Sequence, residues 1–318
     1  MATAQPERAF VFLTEVAGTD SSYPPPITVK PVKKSGFGWL DRKRLLTLLE
    51  EENAGMYVNF NGGVTNVYPL QEPATYKRDL QQTPLRIVFL GAEALQQPAQ
   101  PAGKLQYVPP ALPEVIAANA LSWTETESIR TQYTGGREYF LFTGDIDAPH
   151  KLVELLKAFS LFKKRQQSNM QLVLAGYDTP WTDSFEDKLA TYKYRGDVVL
   201  LKDLEWKETV RLAAAAYAMV YPSVSDTLPL APLLALQAGV PLVASGIPVV
   251  RALGDVAEWV GNDRLEDGFS QAMMRLYKDE SYKQQLVQQA KQFAGNAGRP
   301  RMLEAMGEII GVYPLPLK

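Results

Sequence analysis

The sequence predicts an α/β fold built on a parallel sheet, on three observations. From Glu138 onward, short apolar runs alternate with segments of helical period. The runs are continuously apolar, as strands covered on both faces are. The segment 152–163 places Leu152, Leu155, Leu156, Phe159 and Phe162 on one stripe of a helix, which marks a core-facing surface.

The elements follow in chain order. In the first half the candidate strands are AFVFLTEV, ITVKP, MYVNF and LRIVFLG, with one helix from Asp41 to Glu52 that Asp41 would cap. The stretches QQPAQPAG and VPPALP read as loop and linker, because proline and glycine interrupt both periods. The first domain therefore ends between Tyr107 and Tyr133. In the second half the strands are EYFLFT, QLVLA, DVVLL, AMVYP, PLVAS and AEWV. Helices are expected from Leu152, from Asp183 to Thr191, from Lys207, from Pro232 to Ala238 and from Asp267. A closing helix, LEAMGEII, and a PLPLK tail follow Arg301, and no internal repeat is present. The expected organisation is a first domain over 1–120 with a linker to about 135, a second over 136–300, and the closing segment 301–318.

Composition narrows the chemistry. A chain of 318 residues has room for two domains at about 150 residues each. Its 46% hydrophobic and 21% charged residues are those of an ordinary soluble protein. Thirty-three basic and 35 acidic residues leave a net charge of −2, so no global cationic field points to nucleic acid or an anionic membrane. Zero cysteines exclude disulfides, thiolate metal sites and a cysteine nucleophile. A single histidine, His150, excludes a two-histidine metal centre, and no metal is expected. The opening MATAQPERAF lacks the apolar stretch of a secretory signal, so a cytoplasmic location is expected. The charge-free run from Thr227 to Val250 is broken by Pro229, Pro232, Pro241, Pro248, Gly239 and Gly246 and reads as buried core rather than a membrane span.

No GxGxxG follows a strand, and GxxxxGK[ST], HExxH, EF-hand and GxSxG patterns are absent. The cluster Lys163-Lys164-Arg165 falls at a helix end, where cations complement the dipole, and reads as a solvated terminus.

Three stretches carry a family pattern. They are YKYRGDVVLL, then AAAAYAMVYPSVSDTLPLAPLLALQAGVPLVAS, then RALGDVAEWV with MMRLYKDESYKQQL. Their order over Glu138 to about Phe293 resembles the donor-binding domain of family 4 glycosyltransferases, and YVPPALP through SIRTQYTGG resembles the segment that precedes it. The resemblance implies a GT-B fold of two Rossmann-like domains, the N-terminal one on the acceptor side and shortened. It also implies a nucleotide-sugar donor held mainly by the second domain.

The family meets the diphosphate with a Gly-Arg pair and a lysine in the first βα loop, and the ribose with two glutamates seven residues apart around a Gly-Phe-Gly turn. In this chain Gly144 is kept, Asp145 stands for the arginine and His150 for the lysine, with Lys151 one step late. On a helix that step is a rotation of about 100°. Tyr221, Pro222 and Ser223 set the register of the second motif. Asp226 then takes the first glutamate position, Thr227, Leu228 and Pro229 the turn, and Leu234 the second glutamate position. The pairs Glu7–Glu15 and Glu258–Glu266 have the spacing but not the context. At an effective dielectric near 20 and about 5 Å, one charge pair is worth roughly 3 kcal/mol. Exchanging arginine for aspartate turns that attraction into repulsion, and a lost ribose acceptor costs about 1–3 kcal/mol more. Relative to the family the first domain is expected to begin late, without the opening strand-loop-helix, and it offers no histidine near the reacting sugar, where family members tend to carry one.

Three readings result. In the first, the protein has lost transfer activity and serves as a binding or assembly protein beside other glycan-synthesis proteins. In the second, a divergent transferase holds its donor through Gly144, Lys151, Lys202, Asp203 and the amides near Leu230 and Ala231. In the third, a module binds a glycan or nucleotide in the interdomain cleft. Lys202 and Asp203 are candidates because they follow strand DVVLL at its carboxyl end. Asp226 reads as a turn or cap residue rather than a catalytic group. His150, beside Pro149, is expected as an exposed loop residue, and Tyr221 is expected to pack beneath the loop.

Overall fold

The computed structural model describes residues 10–14, 27–31, 38–52, 56–61, 64–69, 76–79, 86–90, 105–108, 115–117, 120–225, 230–251 and 253–296, and residues 54, 74 and 112 singly. The chain divides into two compact units. One comprises Met1–Leu90, Ala99–Val108 and Met302–Lys318, and the other Gly91–Pro98 with Pro109–Arg301. The expected closing helix after Arg301 lies outside the described residues.

In the first unit β1 (Phe10–Thr14) and β2 (Ile27–Pro31) form a parallel pair. Helix α1 (Gly38–Glu51) follows, burying Leu49 against Leu45, Leu46 and Ala54. Asp41 falls within its first turn rather than ahead of it, so the expected cap is corrected. A four-stranded sheet follows in the order β3 (Met56–Asn61), β4 (Val64–Pro69), β5 (Arg86–Leu90), β6 (Leu105–Val108). Its first two pairings are antiparallel and its last is parallel. A short helix, α2 (Tyr76–Asp79), precedes β5. Neither β4 nor β6 is among the strands expected from the sequence. The signal for β4 is Gly62-Gly63, a two-residue connection between paired Asn61 and Val64.

The second unit contains α3 (Trp123–Thr134), a helix where the sequence predicts linker. Its start is a capping box: Ser122 N–H donates to Glu125 at 2.8 Å, and Glu125 N–H donates back to Ser122 Oγ at 3.2 Å. The S-x-x-E pattern ahead of the helix carries that information in the sequence. Six strands follow: β7 (Tyr139–Asp145), β8 (Gln171–Tyr177), β9 (Val198–Lys202), β10 (Ala218–Tyr221), β11 (Leu242–Ser245) and β12 (Glu258–Val260). The connecting helices are α4 (Leu152–Gln166), α5 (Thr182–Ala190), α6 (Trp206–Ala215), α7 (Leu230–Ala238) and α8 (Pro248–Arg251). Helices α9 (Leu265–Lys278) and α10 (Glu280–Asn296) close the unit. Every pairing in this sheet is parallel, and the order is β12-β11-β10-β7-β8-β9. The chain builds outward from β7 to β9, then returns to the other side of β7 with β10. That reversal makes the β7/β10 boundary the topological switch point, where ligands of such sheets bind at the carboxyl ends.

The core sits on both faces of this sheet. The α4 stripe expected from the sequence is buried throughout, and Phe162 meets Phe140 of β7 edge-on at 5.3 Å. Each such side chain contributes about 1.5–3 kcal/mol through burial. The run from Thr227 to Val250 supplies α7, β11 and part of α8, and most of its described residues are buried. Among the described residues no helix is long and apolar enough to cross a membrane.

Candidate functional site

The loops at the carboxyl edge of the parallel sheet are joined by hydrogen bonds from strand to strand. Ile146 N–H donates to Tyr177 O at 3.0 Å, and the Thr179 hydroxyl donates back to Ile146 O, tying the ends of β7 and β8. Asp203 Oδ1 accepts from Asp178 N–H at 3.1 Å, tying β9 to β8. Val224 N–H donates to Pro149 O at 3.0 Å across the switch point. Ser245 closes the series by donating from β11 to Ser223 O and Tyr221 O.

At the centre of this belt stands His150. Its Nδ1 lies 2.6 Å from Asp147 Oδ1, and its Nε2 lies 3.3 Å from the Tyr221 hydroxyl. Asp147 Oδ1 also accepts the His150 N–H at 3.1 Å, so one carboxylate fixes both backbone and ring. The ring packs edge-on against Phe142 and Tyr221, with centroids 5.5 and 5.7 Å away. His150 is 9% exposed, which corrects the expectation of an exposed loop residue; the Asp147 anchor and the two aromatic rings hold it inward. Tyr221 is buried beneath the loop, as expected.

This ring bears directly on Gly144. The glycine has φ 146°, and a Cβ there would stand 3.2 Å from Phe142 and 3.3 Å from His150 Nε2. The face of Gly144 is thus covered by imidazole. Its neighbour Gly176 is constrained by close approach as well, since a Cβ there would lie 2.6 Å from Gly144 O.

The other sequence candidates are divided by the structure. Asp145 is exposed at the end of β7. Lys151 lies ahead of α4 rather than on it, with a left-handed backbone at φ 50°, so the rotation expected for a helical residue does not apply. Lys202 pairs with Glu186 at 2.8 Å, and that hydrogen bond holds its ammonium above the ordinary range. Asp203, at φ 51°, has its carboxylate engaged with the Asp178 amide. Leu230 and Ala231 open α7, the first exposed and the second buried. Leu234 is 1% exposed in the core. Asp226, with Thr227, Leu228 and Pro229, lies outside the described residues.

Gly144 and His150 are therefore brought together, with Asp145 next in chain to that glycine. Lys202 is spent on α5 and Leu234 is withdrawn into the interior. Asp147 went unnoticed in the sequence, although an aspartate three residues ahead of the sole histidine is the spacing of a side chain capping its own turn. Among the described residues no group of three or more His, Asp or Glu side chains converges as metal ligands.

Of the solved structures, the chain superposes on WaaG, a glycosyltransferase involved in lipopolysaccharide biosynthesis, with a TM-score of 0.74 at 14% identity, covering 98% of this chain and 94% of that one. It superposes on HepE of Anabaena, solved in complex with UDP and glucose, with a TM-score of 0.60 at 10% identity, covering 98% of this chain and 74% of that one. At these identities the likeness establishes the fold, which is GT-B. A curated relative, the O-antigen chain mannosyltransferase RfbU of Salmonella typhimurium, is 28% identical over 111 residues, 35% of this chain. The chain spans 30% of that relative's length. Residues 124–293, more than half of the 318, match the profile of the glycosyl transferases group 1. The match contains the whole parallel sheet and its carboxyl edge, and the chain belongs to the glycosyl transferases group 1.

Proposed function

We propose that this chain is a group 1 glycosyltransferase homologue whose donor position no longer holds a nucleotide diphosphate, so that it is weakly active or inactive and acts as a binding or assembly protein in glycan synthesis. One observation carries the reading. The imidazole of His150, anchored by Asp147, covers Gly144 where the family brings a phosphate against the glycine backbone. The exposed carboxylate of Asp145 beside it repels an anion, and buried Leu234 offers no acceptor to a ribose. The names of the relatives, an O-antigen mannosyltransferase and a lipopolysaccharide glycosyltransferase, favour a surface polysaccharide as the setting.

An active, divergent hexosyltransferase would need cations at the same edge. Lys202 is committed to Glu186, which leaves Lys151 and the first amides of α7 to hold a diphosphate. Calorimetry with UDP-, GDP- and ADP-sugars tests the proposal. Negligible heats across the panel are expected, and tight, magnesium-independent binding of any donor overturns it.

A further inference from the structure

The carboxyl edge that repels a diphosphate has a chemistry of its own. Five large apolar side chains stand out as exposed among the described residues, and three of them, Tyr177 at 54%, Leu230 at 46% and Val224 at 36%, lie along this edge. Tyr177 ends β8, Val224 follows β10, and Leu230 opens α7.

Tyr177 also sits between carboxylates. Asp145 is its register partner on β7, and parallel partners project to one face. On the other side Lys202 pairs with Gly176, and Asp203, next after β9, is brought beside Tyr177 by its carboxylate, which accepts the N–H of Asp178. Asp145 and Tyr177 thus end two adjacent strands about 4.8 Å apart, and Asp203 follows the end of the third. The row is braced. Asp203 is held by the Asp178 amide, and the loop after Tyr177 is fixed by Thr179, which donates to Ile146 O and accepts from Trp181 N–H.

An aromatic face between carboxylates selects against anions and for a ring with hydrogen-bond donors at its rim. A pyranose meets this description: its C–H face stacks on Tyr177, its hydroxyls donate to the flanking carboxylates, and an amine substituent gains a charge-assisted bond and ring contact. We infer that the Asp145–Tyr177–Asp203 row, extended by Val224 and Leu230, binds a glycan carrying no negative charge, with an amine-bearing hexose as its best match. This rests on the loss of diphosphate binding proposed for the same edge and names what replaces it.

Titration calorimetry on the full chain tests it with four probes: short glucosamine oligomers, their N-acetylated counterparts, oligogalacturonate and UDP-N-acetylglucosamine. Glucosamine oligomers are expected to bind at least about tenfold more tightly than oligogalacturonate, with the N-acetylated form between them. Tyr177→Ala, at an exposed position, should leave the thermal midpoint unchanged and weaken binding about tenfold. Asp145→Asn with Asp203→Asn should erase the preference for the amine, and Asp145→Asn alone should reduce it if the double variant is unstable. Equal binding of the uronate, indifference to Tyr177→Ala, or no binding of any oligosaccharide overturns the inference. Binding of the UDP-sugar is a separate result and overturns the reading on which the inference rests.

Discussion

Replacing His150 by alanine tests whether the imidazole is what keeps the edge closed. The perturbation removes the 2.6 Å contact with Asp147 and the 3.3 Å contact with Tyr221. It also removes two edge-on ring contacts with Phe142 and Tyr221. A hydrogen bond to a carboxylate is worth about 1.5–3 kcal/mol, and an aromatic pair about 0.5–1.5 kcal/mol. Water can enter the space and solvate Asp147, so the net loss is placed at about 3 kcal/mol, or roughly 6–12 °C in a unit of this size. Differential scanning calorimetry reads the global effect. Amide hydrogen exchange of Val224, whose N–H is held by Pro149 O, reads the local one. His150→Gln, which keeps a donor for Asp147, should lose about half as much. A His150→Ala chain within about 0.5 kcal/mol of the unaltered one, with Val224 still protected, would refute the reasoning.

On the proposed reading, Asp145→Arg with His150→Lys is expected to raise UDP affinity by about tenfold, each of the three units of charge changed being worth about 0.5 kcal/mol after screening. Calorimetry checks this, and an unchanged affinity would mean that charge is not what was lost. Lys151→Gly relieves a left-handed backbone at φ 50° and should stabilise by about 0.5–1 kcal/mol, read as a rise in thermal midpoint. Glu208 accepts a hydrogen bond from Tyr133 and, beside Arg211, is held below its ordinary 4.5. A depressed carboxylate contributes stability above its unfolded value and loses it as pH falls through the folded one. Tyr133→Phe should therefore cost about 1 kcal/mol at neutral pH and flatten the decline in denaturation midpoint below pH ~4.5.

The second unit was legible because its strands are apolar on both faces. EYFLFT, QLVLA and AMVYP could be nothing but buried, and the intervening helices show a clean period, so element type and order could be read from residue kind alone. The first unit resisted for the opposite reason. Strand β4, VTNVYP, mixes polar and apolar residues and is recognisable only through its pairing with β3, a contact that local propensity does not encode. Helix α3 was hidden because its interior is largely polar and only Ser122 and Glu125 announce it. At the site, alignment placed Asp145, His150 and Leu234, but what His150 does depends on Asp147 and on Tyr221, 71 residues away. The proximity of β7 and β10 follows from sheet order, and no spacing along the chain contains it.

The substitutions at the edge also explain one another. A glutamate at position 234, 1% exposed as the leucine is, would be a buried carboxylate with no ligand hydroxyl to satisfy it, and removing such a charge from the interior relieves a penalty of several kcal/mol. A lysine in place of His150 would bring an ammonium toward Phe142 and Tyr221 with only Asp147 to balance it, whereas an imidazole meets that carboxylate and the phenol hydroxyl together. On the proposed reading, leucine at 234 and histidine at 150 are residues that fold at this edge without a diphosphate or ribose to satisfy them. At the switch point His150 is hydrogen-bonded to Asp147 and meets Tyr221 beside the belt that joins the strand ends, and Leu234 is packed in the core.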